Sequence, residues 1–208
     1  MSLPATVEES LTPVELEDTP PPSQLDQELI EDFSLQPPYN YYWNWCWAVV
    51  AEGFANFLHP YGDWDQSSIA REACTRGIRH CTWDDVCLCD EPWELHEALN
   101  IALGLGVEPD DTEIPFEGIV WEIRENATPV GCRLLQDSGH FGVIVGFKQN
   151  RTDQFVTIIL NSDNALIDWK YPSFIANRSH FYMISGVNTW KLKYQKILKK
   201  TYKFFAKL

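Results

Sequence analysis

The chain has 208 residues, 45% hydrophobic and 22% charged, with 30 Asp and Glu against 16 Lys and Arg, a formal net charge of -14. That length supports one sizeable core, and a surface this acidic repels a phosphate backbone, so nucleic-acid binding is not expected. No run of 18 apolar residues is present, and the opening stretch with Glu8, Glu9, Glu15, Glu17 and Asp18 lacks the basic and apolar regions of an export signal; the expectation is a soluble, cytoplasmic protein.

Charge is unevenly placed. Residues 1–70 hold 12 carboxylates and no Lys or Arg, whereas 191–208 hold seven lysines and no carboxylate side chain. Residues 1–38 combine acidic groups with seven prolines and few aromatics, a composition that cannot offset its ordering entropy. They are expected to be largely disordered, with a short helix over 23–33, or to form a leader or pro-like segment. After Pro38 six aromatic residues crowd into positions 39–47, so the body is placed at 39–190 and a basic tail at 191–208.

From Cys46 to Leu58 the apolar residues Val49, Val50, Phe54 and Phe57 recur at helical period, with Asn44 as the expected N-cap and Pro60 as terminator. Further helices are expected over 66–77, 92–103 and 115–127. The period then changes to two, and strands are expected over 130–135, 140–148, 155–161 and 181–187, bounded by polar turns. Helices first and strands second predict an α+β fold with the helical half packed on an antiparallel sheet.

Cys74, Cys81, Cys87 and Cys89 cluster within 16 residues, but their spacing lacks the C-x2-C pairs of zinc sites, so no metal is expected. Buried reduced thiols, or a local disulfide in an oxidising compartment, remain the two readings of the cluster. Cys46 differs from these because it opens a helix, where unpaired amides and the helix dipole favour a thiolate. Among the five histidines only His140 follows an Asp-Ser-Gly turn and opens a long apolar strand, a placement that holds an imidazole on rigid backbone yet leaves it accessible. Asn161 ends the next strand, where its amide could orient that imidazole; Asp163 competes for the same role. Cys46, His140 and Asn161 thus have the residue types of nucleophile, base and orienter in acyl transfer.

Asn44-Trp45-Cys46-Trp47-Ala48, Gly139-His140-Phe141 leading into a strand that ends Gly146-Phe147, and Asn161 together resemble the papain-like cysteine peptidases, in particular a bacterial branch with an Asn-Trp-Cys-Trp-Ala nucleophile motif. The resemblance spans about residues 36–190. It implies a papain-like fold, a thiol hydrolase that needs no cofactor, a peptide or protein substrate, and Cys46, His140 and Asn161 in the roles above. The Trp-rich entry at 43–47 is read as core and substrate-cleft wall rather than a ligand box, with Trp45, Trp47 and Gly139 expected to bind substrate. The family usually carries Gln six residues before the nucleophile, and here that position is Asn40, a shorter donor; losing one oxyanion donor costs about 3 kcal/mol of transition-state stabilisation. A processing peptidase acting on a leader, and a peptide-binding module without turnover, are the variants of this reading. In the tail, Trp190, Tyr194, Ile197, Leu198, Tyr202, Phe205 and Leu208 recur at helical spacing among lysines. That pattern suits an anionic membrane surface, an acidic partner, the acidic segment 1–32 of the same chain, or simply a solvated terminus.

Overall fold

The computed structural model describes residues 25–38, 44–59, 63–76, 92–104, 106–109, 114–135, 139–160 and 163–183. Among them the architecture is α+β, with helices preceding most of an antiparallel sheet. The helices are α1 (Cys46–Leu58), α2 (Gln66–Arg76), α3 (Leu95–Leu103), α4 (Phe116–Trp121) and α5 (Tyr171–Ala176). A π-helical turn, Glu122–Asn126, continues α4 and ends at Ala127 in the left-handed region (φ 47°).

The sheet is built from β1 (Asp26–Leu29), β2 (Val130–Leu134), β3 (Phe141–Gln149), β4 (Gln154–Ile159), β5 (Leu166–Lys170) and β6 (Arg178–Tyr182), in the order β5-β4-β3-β2-β6. The long strand β3 organises it. Residues 141–144 pair with β2 and residues 146–149 pair with β1, while residues 143–149 also pair with β4, with a register shift between Ile144 and Gly146. All pairings are antiparallel.

The strand β1 replaces the helix expected over 23–33, and Phe33 and Leu35 that follow it are buried rather than disordered. Two interactions explain why so polar a segment is ordered. Its backbone completes the β3 ladder, and Arg124 in the π-helical turn pairs with both Asp26 (2.6 Å) and Glu28 (3.4 Å). Phe33 then packs edge-on to Phe54 and tilted to Phe57 of α1, at centroid separations of 5.3 and 5.7 Å. Residues 1–24 and the tail 184–208, with its expected amphipathic helix and end-to-end contact, lie outside the described residues.

Two elements had no expectation attached, β5 and α5. The strand expected over 181–187 begins earlier, at Arg178. Among the described residues no helix is long and apolar enough to cross a membrane.

The core joins α1, α3 and the sheet: Trp47 meets Trp93 edge-on at 5.3 Å, and the bare face of Gly131 in β2 admits Leu95 of α3. Among the described residues two carboxylates are buried, Glu122 of the π-helical turn and Glu52. Glu52 of α1 is 8% exposed and accepts a hydrogen bond from Gln66 Nε2 (2.8 Å), which also donates to the Pro37 carbonyl (2.9 Å). Burial pushes the Glu52 carboxyl above its usual range, with Asp65 adding to the rise and the Gln66 bond opposing it. A group that binds its proton more tightly when folded contributes stability below its unfolded pKa and loses it as pH rises through the folded value. Glu52→Gln keeps an acceptor for Gln66 and is therefore expected to raise Tm at neutral pH and to flatten its decline above the acid range, as thermal melts across pH would record.

Candidate active site

The chain reaches α1 through Trp45, which rather than Asn44 is the N-cap residue, and it makes no side-chain capping bond. In the first turn the Trp47 N–H donates to the Cys46 sulfur. The Phe141 N–H, at the start of β3, donates to the same sulfur. Two backbone elements thus converge on one thiol.

His140 completes the site and hydrogen-bonds Cys46. Its other bond runs from Nε2 to the Leu160 carbonyl at 2.8 Å. A carbonyl only accepts, so Nε2 carries a proton and Nδ1 is the nitrogen left for the thiol. Burial pushes the Cys46 thiol up, but the bond to His140, the Phe141 amide, the His140 charge and the Trp47 amide together outweigh it, and the thiol titrates below its ordinary range. The reciprocal shift is present on His140: the bond to Cys46 raises it, burial lowers it, and the Leu160 carbonyl and the sulfur charge raise it, with a net rise. Both shifts favour a thiolate beside an imidazolium.

The other described cysteines behave oppositely. Burial pushes Cys74 up, and pushes the fully enclosed Cys132 up to about 12. Cys81, Cys87 and Cys89 lie outside the described residues, and among those described no group of three or more His, Cys, Asp or Glu could hold a metal ion.

The position of His140 depends on the turn before it. Gly139 has φ +85°, a left-handed conformation that favours glycine, and the Arg133 guanidinium lies over its bare face, with Nε 2.8 Å from where a Cβ would stand. The Leu134 N–H donates to the His140 carbonyl (2.8 Å), tying the turn to β2. Gly139 therefore sets the turn that carries His140. Trp45 and Trp47 do not face an open cleft: they are 1% and 0% exposed, with ring centroids 6.3 Å apart, and belong to the core that supports α1. This corrects their expected contact with substrate, the reason being that both indoles are enclosed in the core, Trp47 against Trp93 just before α3.

Asn161 and Asn40 lie outside the described residues. The group seen to orient His140 is the Leu160 backbone carbonyl, one residue before Asn161. Asp163 has a different task, accepting the Ala165 N–H at 3.0 Å in the turn into β5.

Asn164, which carried no expectation, links the two arms of the site. With φ +56° it presents its amide to Leu35, accepting from Leu35 N (2.6 Å) and donating to Leu35 O (3.0 Å). This joins the loop after Leu160 to the segment leading toward α1. Asn164→Ala removes both partners of a residue only 2% exposed and sets alanine at positive φ, so a loss of about 2 kcal/mol or more is expected in urea unfolding, larger than for Asn164→Asp, which retains the acceptor.

A scan against protein-family models returns no match for this chain, and a search of curated proteins returns none.

Proposed function

We propose that the chain is a papain-like thiol hydrolase that cleaves peptide bonds. The observation that carries this reading is the Cys46–His140 pair: a thiol at the first turn of a buried helix, held by two amides and an imidazole, and titrating below its ordinary range although burial opposes it. A thiol that merely packs behaves like Cys132, which the same core drives the other way.

In the proposed reaction the Cys46 thiolate adds to the scissile carbonyl, forming a C–S bond and moving the carbonyl electron pair onto oxygen. The intermediate collapses by breaking the C–N bond, and the amine leaves with the proton of the His140 imidazolium. The neutral imidazole then removes a proton from water, which adds to the thioester; breaking C–S releases the acid and restores thiolate and imidazolium. The Leu160 carbonyl holds Nε2–H throughout, so the ring offers the same nitrogen to sulfur, amine and water in turn. The Cys46 backbone amide is the nearest candidate donor to the oxyanion, with Asn40 as the side-chain donor that the family resemblance implies.

The resemblance in sequence order, with Asn-Trp-Cys-Trp-Ala before Gly-His, supports the papain-like assignment over a generic cysteine enzyme. The contact between sulfur and imidazole speaks for hydrolysis over a binding module that has lost turnover. The test is reaction with an epoxide-type cysteine peptidase inhibitor, read by peptide mass spectrometry, beside cleavage of a peptide library. Labelling at Cys46 and loss of all cleavage in Cys46→Ala are expected; an unlabelled Cys46, with equal cleavage in the mutant, would overturn the reading. Mass spectrometry of the intact chain in both forms tests the processing variant, in which a shortened N-terminus occurs only when Cys46 is present.

A further inference from the structure

Arg133 stands where β2 meets the turn that carries His140. Its guanidinium lies beneath Gly139, with Nε 2.8 Å and Nη2 3.0 Å from the place a Cβ would occupy, and it covers the Phe141 ring at 5.6 Å. Phe141 is the residue whose amide reaches the Cys46 sulfur. Arg133 therefore lies against the residues on either side of His140, Gly139 before it and Phe141 after it. Across the sheet it is also the register partner of His180 in β6.

Arg133 does not itself touch the dyad: the groups that shift Cys46 and His140 are each other, burial, and the amides and carbonyl named above. Among the described residues its carboxylate partner is Glu94, at 3.4 Å from Nη1, and the two side chains are 31% and 48% exposed. An ion pair so long and so open to water is worth little and exchanges easily. A guanidinium has five donors in a planar fork suited to a carboxylate, and on a molecule with net charge -14 a local cation is what lets an acidic group approach at all.

We propose that Arg133 forms a carboxylate-binding subsite beside Cys46 and His140, so that the enzyme prefers substrates with a carboxylate near the scissile bond, Glu94 being the internal counter-ion that the substrate displaces. This rests on the hydrolase reading and names its substrate class.

The test uses two alkylating reagents of nearly equal size, iodoacetate and iodoacetamide. In both, the Cys46 thiolate forms an S–C bond as the C–I bond breaks and iodide leaves with the electron pair; only iodoacetate carries the carboxylate. Rates at Cys46 are read by peptide-resolved mass spectrometry on the full chain, and the ratio of iodoacetate to iodoacetamide cancels changes in the thiolate itself. The ratio is expected to fall about threefold or more in Arg133→Gln, to be kept in Arg133→Lys at low salt, and to rise in Glu94→Gln, where the competitor is gone. A ratio unchanged in both Arg133→Gln and Glu94→Gln overturns the subsite; if Arg133→Gln does not fold, an unchanged ratio in Glu94→Gln does so alone. N-acetyl-glycylglycine and N-acetyl-glutamyl amide, added as protectants against iodoacetamide, separate the sources. Protection by the first alone assigns the subsite to a chain terminus, by the second alone to an acidic side chain, by both to either, and by neither contradicts it. Alkylation of Cys46 that ignores His140 would instead count against the hydrolase reading, so the two failures are distinguishable.

Discussion

His140→Ala is expected to lower peptide hydrolysis by about 10²–10⁴-fold, the usual contribution of a positioned acid–base group. The loss has two sources. Without the imidazole the Cys46 thiol keeps the burial that raises it but loses its hydrogen bond and its charge partner, so less thiolate is present at neutral pH. Each unit of that rise removes about tenfold of the thiolate, and the leaving amine has no proton donor besides water. In the wild type the profile of kcat/KM against pH should have an acid limb below the ordinary thiol range and a basic limb above the ordinary imidazole value of about 6.5. These limbs belong to the coupled pair rather than to either residue. The mutant should lose the basic limb altogether.

A large effect on folding is expected from Gly146→Val. A Cβ at Gly146 would lie 2.6 Å from the Glu28 carbonyl and 3.0 Å from Leu29 Cδ1, and the first of these is backbone that cannot rotate aside. Either β1 leaves β3 or β3 bends, at a cost of about 1–3 kcal/mol, the range for overpacked sites. Displacing β1 releases its four pairings and the Arg124 bridges, and with them the anchor of Phe33 and Leu35 against α1. Hydrogen exchange should report early loss of protection at 26–30 and 146–149, and a lowered urea midpoint should accompany it. Equal protection in the two proteins would mean that β1 contributes nothing to the stability of the domain.

That strand also marks where sequence ceases to be informative. Helices α1, α2 and α3 and strands β2, β3 and β4 announce themselves through apolar periodicity, because each buries a face. Asp26-Gln27-Glu28-Leu29 buries no face; it is a strand because β3 offers unpaired backbone and Arg124 offers charge, neither of which is a local signal. The edge strand β5 is missed for a related reason, since Leu166 and Ile167 are exposed and no alternation survives, and α5 is only six residues with a proline at its start.

At the site, Cys46 and His140 are legible because their chemistry requires a helix start and a strand start, and both positions can be read from pattern. The partner of His140 Nε2 is a main-chain carbonyl, which no residue type encodes, whereas Asp163, the competing orienter, accepts the Ala165 N–H. Trp45 and Trp47 mislead for a physical reason: an indole is large and amphipathic, and its presence beside a nucleophile does not say whether its face meets substrate or core. Asn164 could have been suspected as a residue tolerant of positive φ, but its long-range partner, Leu35, could not.

The central claim is that Cys46 is a thiolate held by His140. Its most direct measurement is the pH dependence of iodoacetamide alkylation at Cys46 in wild type and in His140→Ala, read site by site by mass spectrometry. The account predicts a wild-type midpoint below the ordinary thiol range, and a midpoint in the mutant moved upward. A wild-type Cys46 that titrates at or above the ordinary thiol value, or one whose titration is unchanged when His140 is removed, would contradict it.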